Sequence, residues 1–269
     1  MSAARSAGLS LERAAAMALP VAVFLAALGL WEAIVRLKGV PPYILPAPSR
    51  IATTLVNDWG TLSQSLWVTL TITFQALLAA VVGGVALALF FAQWKWVERA
   101  FFPFAVILQV TPIIAIAPLL LVYLEGGTAV LVCAFMVAFF PILANTALGL
   151  ASADHNLVDL LDLYGAKRWQ QLLYLRLPSA MPYFLGGLRI AGGLALIGAI
   201  VAEIAAGSAG QGAGLAFRIV ESGYRLNIPR MFAALTLISV TGILIFLFFT
   251  LMSRLLLGDW HDSARQREG

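Results

Sequence analysis

Six apolar runs, each long enough to cross a bilayer, dominate the sequence: roughly 14–36, 64–92, 101–124, 128–150, 183–206 and 232–257. A spanning helix needs about 20 mostly apolar residues. Inside hydrocarbon every backbone N–H and C=O must be satisfied without water, so such runs read as helices. Charge is correspondingly scarce. Only 11% of the 269 residues are Asp, Glu, Lys or Arg and 61% are hydrophobic, against about 25% charged in an ordinary soluble domain. A soluble fold of this size has nowhere to hide that much apolar surface. These numbers exclude a disordered chain, a disulfide scaffold and an ordinary cytosolic enzyme. They predict an all-α membrane protein with six transmembrane helices.

An even number of spans puts both termini on one side. With the termini inside, the inner segments hold Arg5, Arg13, Lys95, Arg99, Lys167, Arg168, Arg176, Arg254, Arg265 and Arg267, against Arg36, Lys38, Arg50, Arg218, Arg225 and Arg230 outside. That bias predicts cytoplasmic N- and C-termini. The net charge of +4 is therefore read as membrane orientation, with no nucleic-acid partner, since no DNA- or RNA-binding signature appears. The first apolar run exceeds the 7–15 residues of a signal peptide core and lacks a small-residue cleavage site, so it reads as a retained helix. The chain then divides into a cytoplasmic segment 1–13, a membrane domain 14–257 containing an inner loop 151–182, and a cytoplasmic tail 258–269. Cys133, the only cysteine, sits in an apolar run and reads as a small buried residue.

Chemistry is harder to find. No lysine stands in a Gly-x-x-x-x-Gly-Lys-[Ser/Thr] loop: Lys38, Lys95 and Lys167 precede Gly, Trp and Arg. His155 and His261 are far apart and lack the spacing of a metal site. Gly210-Gln211-Gly212-Ala213-Gly214 follows a membrane helix and not a strand, which favours a flexible outer turn over a dinucleotide loop. No cofactor is expected, and any energy from ATP must enter through another polypeptide.

The inner loop between the fourth and fifth spans is the most informative segment. Residues 157–164 carry apolar positions at helical spacing, with Asp159 and Asp162 among them. Gly165 interrupts the pattern, 167–175 form a second amphipathic stretch, and Pro178 is expected to end it. Two short helices around a glycine would form an apolar knob. Periodicity alone leaves open whether the knob docks a partner or lies in the lipid interface.

The spacing in this loop resembles the coupling signature of the permeases of binding-protein-dependent ABC importers. That signature reads Glu-Ala-Ala, three residues, Gly, nine residues, Ile-x-Leu-Pro. Here Asp159-Leu160-Leu161 stands first, Gly165 follows three residues later, and Leu175-Arg176-Leu177-Pro178 follows after nine more. The Glu-Ala-Ala triplet itself is absent and Leu175 replaces Ile. The wider chain is similar to the nitrate, sulfonate and taurine branch, through Leu45-Pro46-Ala47-Pro48-Ser49, Thr111-Pro112-Ile113-Ile114-Ala115-Ile116-Ala117-Pro118, Gly187-Leu188-Arg189-Ile190-Ala191 and Val201-Ala202-Glu203. The resemblance implies a type I importer permease in the bacterial inner (plasma) membrane. Its implied partners are two ATPase subunits, a second copy of this chain and a substrate-binding protein. It also implies that Asp159, Leu160, Leu161, Leu163, Tyr164, Gly165, Leu175, Leu177 and Pro178 engage the ATPase. The branch suggests a small anion as substrate. Heteroaromatic compounds and vitamin precursors travel through similar permeases and form the alternative.

Within the spans, Gly186, Gly187, Ala191, Gly192, Gly193, Ala195, Gly198 and Ala199 mark a face for close helix packing, with the dimer interface as one location. Pro103, Pro112 and Pro118 read as kinks in the third span, where a gate is a second reading. Arg189 and Glu203 are the charges to consider for the pathway. They lie about 21 Å apart along one helix and cannot pair. Arg189 is expected to snorkel to the inner interface, with Glu203 near the outer one. A secondary transporter would need midplane polar groups and repeats. A membrane enzyme would need clustered acids or histidines. The sequence offers neither pattern, and composition alone leaves a structural scaffold open.

Overall fold

The computed structural model describes residues 2–207 and 212–258, and side-chain surroundings from residue 18. His261, the tail from 259, and Gly210 and Gln211 of the glycine-rich turn lie outside these residues.

Five described helices are long and apolar enough to span a membrane: α1 (Ser2–Leu37, apolar over Ala18–Leu37), α3 (Trp59–Gln93), α6 (Gly126–Ala151), α9 (Leu177–Ala206) and α11 (Ile228–Leu257). The expected third span is broken. Helix α4 (Lys95–Val110) and helix α5 (Ile113–Tyr123) meet at 98°. Sixteen residues of α4 cover about 24 Å, short of a 30 Å hydrocarbon core. The break follows from Pro112. A residue before proline is pushed out of the helical region, and Thr111 sits at φ −72°, ψ 124°. Pro103 and Pro118 stay inside α4 and α5, so only one of the three prolines sets a corner.

Two short helices close one end of the molecule. These are α2 (Pro48–Asn57) and α10 (Leu215–Tyr224). Ile51, Leu62, Leu215, Ala233, Ala234 and Leu237 form a small core under them. At the other end, α7 (His155–Leu163) is followed by one turn of α8 (Arg168–Gln171) and a π-helical turn, Leu172–Arg176, that runs into α9. The fifth apolar helix therefore begins at Leu177, six residues before the expected 183, and Pro178 does not end the 167–175 stretch, which runs on through the π-turn into α9. Proline is tolerated there because it falls in the first turn of α9, where its missing N–H has little to give up. The wider π-turn just before it shifts the hydrogen-bond register.

The core is an antiparallel seam of α6 and α9, flanked by α3 on the α6 side and α11 on the α9 side. Its small residues are contact points. A Cβ on Gly187 would stand 2.8 Å from both Asn145 Cβ and Pro141 O, and one on Gly198 would stand 2.9 Å from Ala134 Cα. On α6, a Cβ on Gly149 would stand 2.8 Å from Ala180 Cα. Gly192 meets the Phe249 ring of α11. The small-residue face thus packs within one protomer, and only Gly186 and Gly193 of the set have open space beside them. Cys133 is fully buried on α6 against this seam. Lipid offers no apolar driving force between helices, so close backbone approach must supply the attraction. Replacing Gly198 by Leu is expected to cost about 1–3 kcal/mol through overpacking. A lowered melting temperature of the solubilised protein would register it, and Gly193→Leu should leave that temperature unchanged.

Candidate functional site

Two sites emerge at opposite ends of the bundle. The first is the α7–α8 knob. Asp154 caps α7, its Oδ1 accepting from Asn156 N at 2.9 Å. The helix ends in a paired closure. Ala166 N donates to Leu161 O at 2.9 Å and Gly165 N to Asp162 O at 2.9 Å, with Gly165 at φ +70°. This is a Schellman closure, which requires left-handed backbone at the residue after the cap. The glycine is there for backbone handedness alone, because a Cβ on it would meet nothing within 4 Å. Gln170 Oε1 then accepts from Lys167 N at 2.7 Å and starts α8.

None of the α7 residues is buried. Leu163 and Tyr164 are 86% and 81% exposed, and Leu157, Leu160, Trp169 and Tyr174 are also exposed. Asp159 is exposed, whereas Leu161, Leu175, Leu177 and Pro178 are half-buried at the root of the knob. The named residues thus split into an outward apolar tip and a root that packs toward the bundle. Leu172 and Leu177 pack against the main core, so the knob is tied to α9 without a break.

The second site lies at the end carrying α2 and α10. Glu203, near the end of α9, is 3% exposed. Its Oε1 accepts from Thr69 Oγ1 of α3 at 2.8 Å, and its Oε2 accepts from Ala216 N of α10 at 3.0 Å. Thr69 Oγ1 in turn accepts from Leu215 N at 2.9 Å. The first two N–H groups of α10 are therefore capped by side chains from two other helices. Its own N-cap, Gly214, has no side chain to do so. A Cβ on Gly214 would overlap the Glu203 carboxyl group, so this position of the glycine-rich turn serves a close approach. A carboxylate at a helix N-terminus also meets the positive end of the dipole. Further clamps surround it. Arg218 Nε donates to Ser65 Oγ of α3 at 2.9 Å, and Arg230 pairs with Asp58 at 2.6 Å. Arg218 also hydrogen-bonds Glu221, which holds that carboxyl below the usual range.

Glu203 is near the end of α9, and its carboxylate is occupied by protein donors. Arg189 meets an aromatic ring. It sits near the middle of the 30-residue α9 and not at its inner end. Its guanidinium lies 5.9 Å from the centre of the Phe246 ring of α11, and its buried Nε has no partner. Thr69, Ser65 and Gly214 were missed from the sequence. Buried Ser65, Thr69 and Thr73 recur every four residues on α3, and this stripe of hydroxyls was the available signal.

A family model described as binding-protein-dependent transport system inner membrane component matches residues 80–257. The riboflavin transport system permease RibX of Chloroflexus aurantiacus is 34% identical over 92% of this chain and 91% of its own. The formylaminopyrimidine transport permease ThiX of Halalkalibacterium halodurans is 35% identical over 84% of this chain and 89% of its own. The taurine transport permease TauC of Escherichia coli is 26% identical over 88% of each. In fold, the chain is similar to one in the crystal structure of an amino acid ABC transporter with histidines. That match has a TM-score of 0.62 and 19% identity, covering 75% of this chain and 97% of the other.

Proposed function

Because the chain belongs to the inner-membrane permeases of binding-protein-dependent ABC importers, we propose that it forms one half of a pathway worked through the α7–α8 knob. The permease is not an enzyme; ATP is hydrolysed by a separate ATPase subunit. Two copies related by a two-fold axis, each gripped by one ATPase, are the simplest assembly. The observation that carries this reading is the apolar, unpartnered tip Leu163-Tyr164 on a knob continuous with α9. The knob transmits ATPase closure to α9 and, through the seam, to α6 as a rigid-body movement. The corner at Thr111-Pro112 places α5 across the bundle, with Ile114, Leu119, Val122 and Tyr123 exposed. We assign that segment to the gate and the dimer axis. The orientation has the knob, both termini and the tail 258–269 in the cytoplasm, and α2 and α10 outside, facing the binding protein.

For the cargo, the 34% and 35% identities to riboflavin and formylaminopyrimidine permeases, against 26% to the taurine permease, favour a small heteroaromatic compound. A second reading, a small anion, is supported by the unpaired Arg189 in mid-span. Thermal shifts of the partner binding protein with riboflavin, a formylaminopyrimidine, taurine and nitrate test this. Stabilisation by taurine or nitrate alone would overturn the heteroaromatic assignment.

Backbone handedness at Gly165 supports a graded prediction. Gly165→Val forces a β-branched residue to positive φ, at a cost of about 1–2 kcal/mol or more. Asn tolerates that region far better. Gly165→Val is expected to lose substrate-stimulated ATP hydrolysis, while Gly165→Asn keeps most of it. Equal activity in both variants would contradict the role given to the turn.

A further inference from the structure

A cleft of about 490 Å³ separates the knob from the junction of α3 and α4. Lys95, at the start of α4, Arg168, at the start of α8, and Arg176, at the end of the π-turn, all line it. Three cations from segments about 70 residues apart in sequence thus converge on one space. None of them forms an ion pair with another described residue. All four ion pairs among the described residues lie at the opposite end or in the outer half of α1. The one acid in the cleft, Asp162, is engaged by Gln171 Nε2, whose side chain is 93% buried by an exposure of 7%. The amide leaves Asp162 charged, so the cleft sets three cations against one carboxylate and is net positive.

A second groove shares Lys95 with the cleft and is lined by Glu98, Arg99, Phe102 and Pro103, along one face of α4. Trp94 and Trp96 flank Lys95 and are exposed, and Phe101, Phe104 and Ile107 are exposed on the other side of the same helix. Tryptophans at this level suit a membrane–water boundary, and the exposed apolar side chains of α4 suit acyl chains. A free inorganic anion would meet only the cations. A diacyl lipid would also meet the tryptophans.

We propose that this cleft holds the phosphate-bearing headgroup of an anionic phospholipid, with its chains along α4. The lipid wedges between the bundle and the knob, on the hinge side of the coupling element. Its chemistry is a phosphodiester of net negative charge, recognised by Lys95, Arg168 and Arg176 together.

The test uses the full chain in vesicles carrying spin-labelled phosphatidylglycerol or spin-labelled phosphatidylcholine. Immobilised label is expected to favour phosphatidylglycerol by about tenfold, since each surface cation attracts anionic lipid measurably. Replacing Lys95, Arg168 and Arg176 together by glutamine should bring the preference close to unity. Should that triple variant not fold, Lys95→Glu alone, at an exposed position, should still lower it severalfold. Arg254→Gln, a cation outside the cleft, should leave it intact. Four results would overturn the proposal. One is no preference in the wild type, and a second is its survival in the cleft variants. Another is displacement of the lipid by millimolar inorganic phosphate, which would make the ligand a free anion. The fourth is loss of the preference once the ATPase subunits are bound, which would assign the cations to a protein contact.

Discussion

Replacing both Leu163 and Tyr164 by aspartate abolishes ATP-driven uptake and leaves the permease inserted at normal abundance. The two side chains are almost fully exposed and make no packing contact that holds their own protomer together. A surface change of this kind alters folding stability by only a few tenths of a kcal/mol. On a docked surface the same change is severe. Apolar anchors at the centre of an interface each contribute about 2 kcal/mol or more, and a buried unpaired carboxylate adds its own cost. Two such losses amount to roughly a thousandfold in affinity for the ATPase. Co-purification of the ATPase subunit with tagged permease reads this directly. Wild-type retention of the ATPase by the double variant would remove the knob from the coupling path.

A second large effect is expected at the other end. Glu203→Ala leaves the Thr69 hydroxyl and the Ala216 N–H buried without their acceptor. Each orphaned group costs about 1–3 kcal/mol, so the variant should lose about 2–5 kcal/mol. Gly214→Ala should produce a similar loss by a different route, because the added methyl group occupies the space of the carboxyl. The two changes break one contact, so the double variant should lose much less than their sum. Thermal melting of the solubilised permease measures all three. Additive losses would mean that glycine and glutamate act separately. Since α10 also contacts α3 and α11, its release should expose the 207–231 loop to protease.

The two ends differ in how far the sequence reveals them. Five spanning helices were legible because membrane insertion depends on apolar length, a property of one segment at a time. Gly165 was legible because a left-handed closure after an amphipathic turn is also local. Glu203 was noticed only as a charge. Its partner Thr69 is 134 residues away, and Thr69 bonds Leu215 146 residues away. No pattern within one segment reports such a pairing. The corner in the third span was hidden for a related reason. Its prolines were visible, but identical chemistry leaves Pro103 and Pro118 inside helices while Pro112 makes a corner. Pro178 misled in the opposite direction, because the preceding π-turn places it where a helix begins. Arg189 was noticed as a charge within a span, and its ring contact with Phe246 of α11 joins residues 57 apart that no local pattern links.

The central claim is that a separate ATPase grips the α7–α8 tip and drives α9. The only cysteine, Cys133, is buried, so a single cysteine placed elsewhere can be labelled selectively. A short photo-crosslinker on Tyr164→Cys, irradiated in the assembled importer, should capture the ATPase subunit. The same reagent on Tyr224→Cys, exposed at the end carrying α10, should not capture it. Capture from Tyr224 with none from Tyr164 would contradict both the orientation and the coupling mechanism.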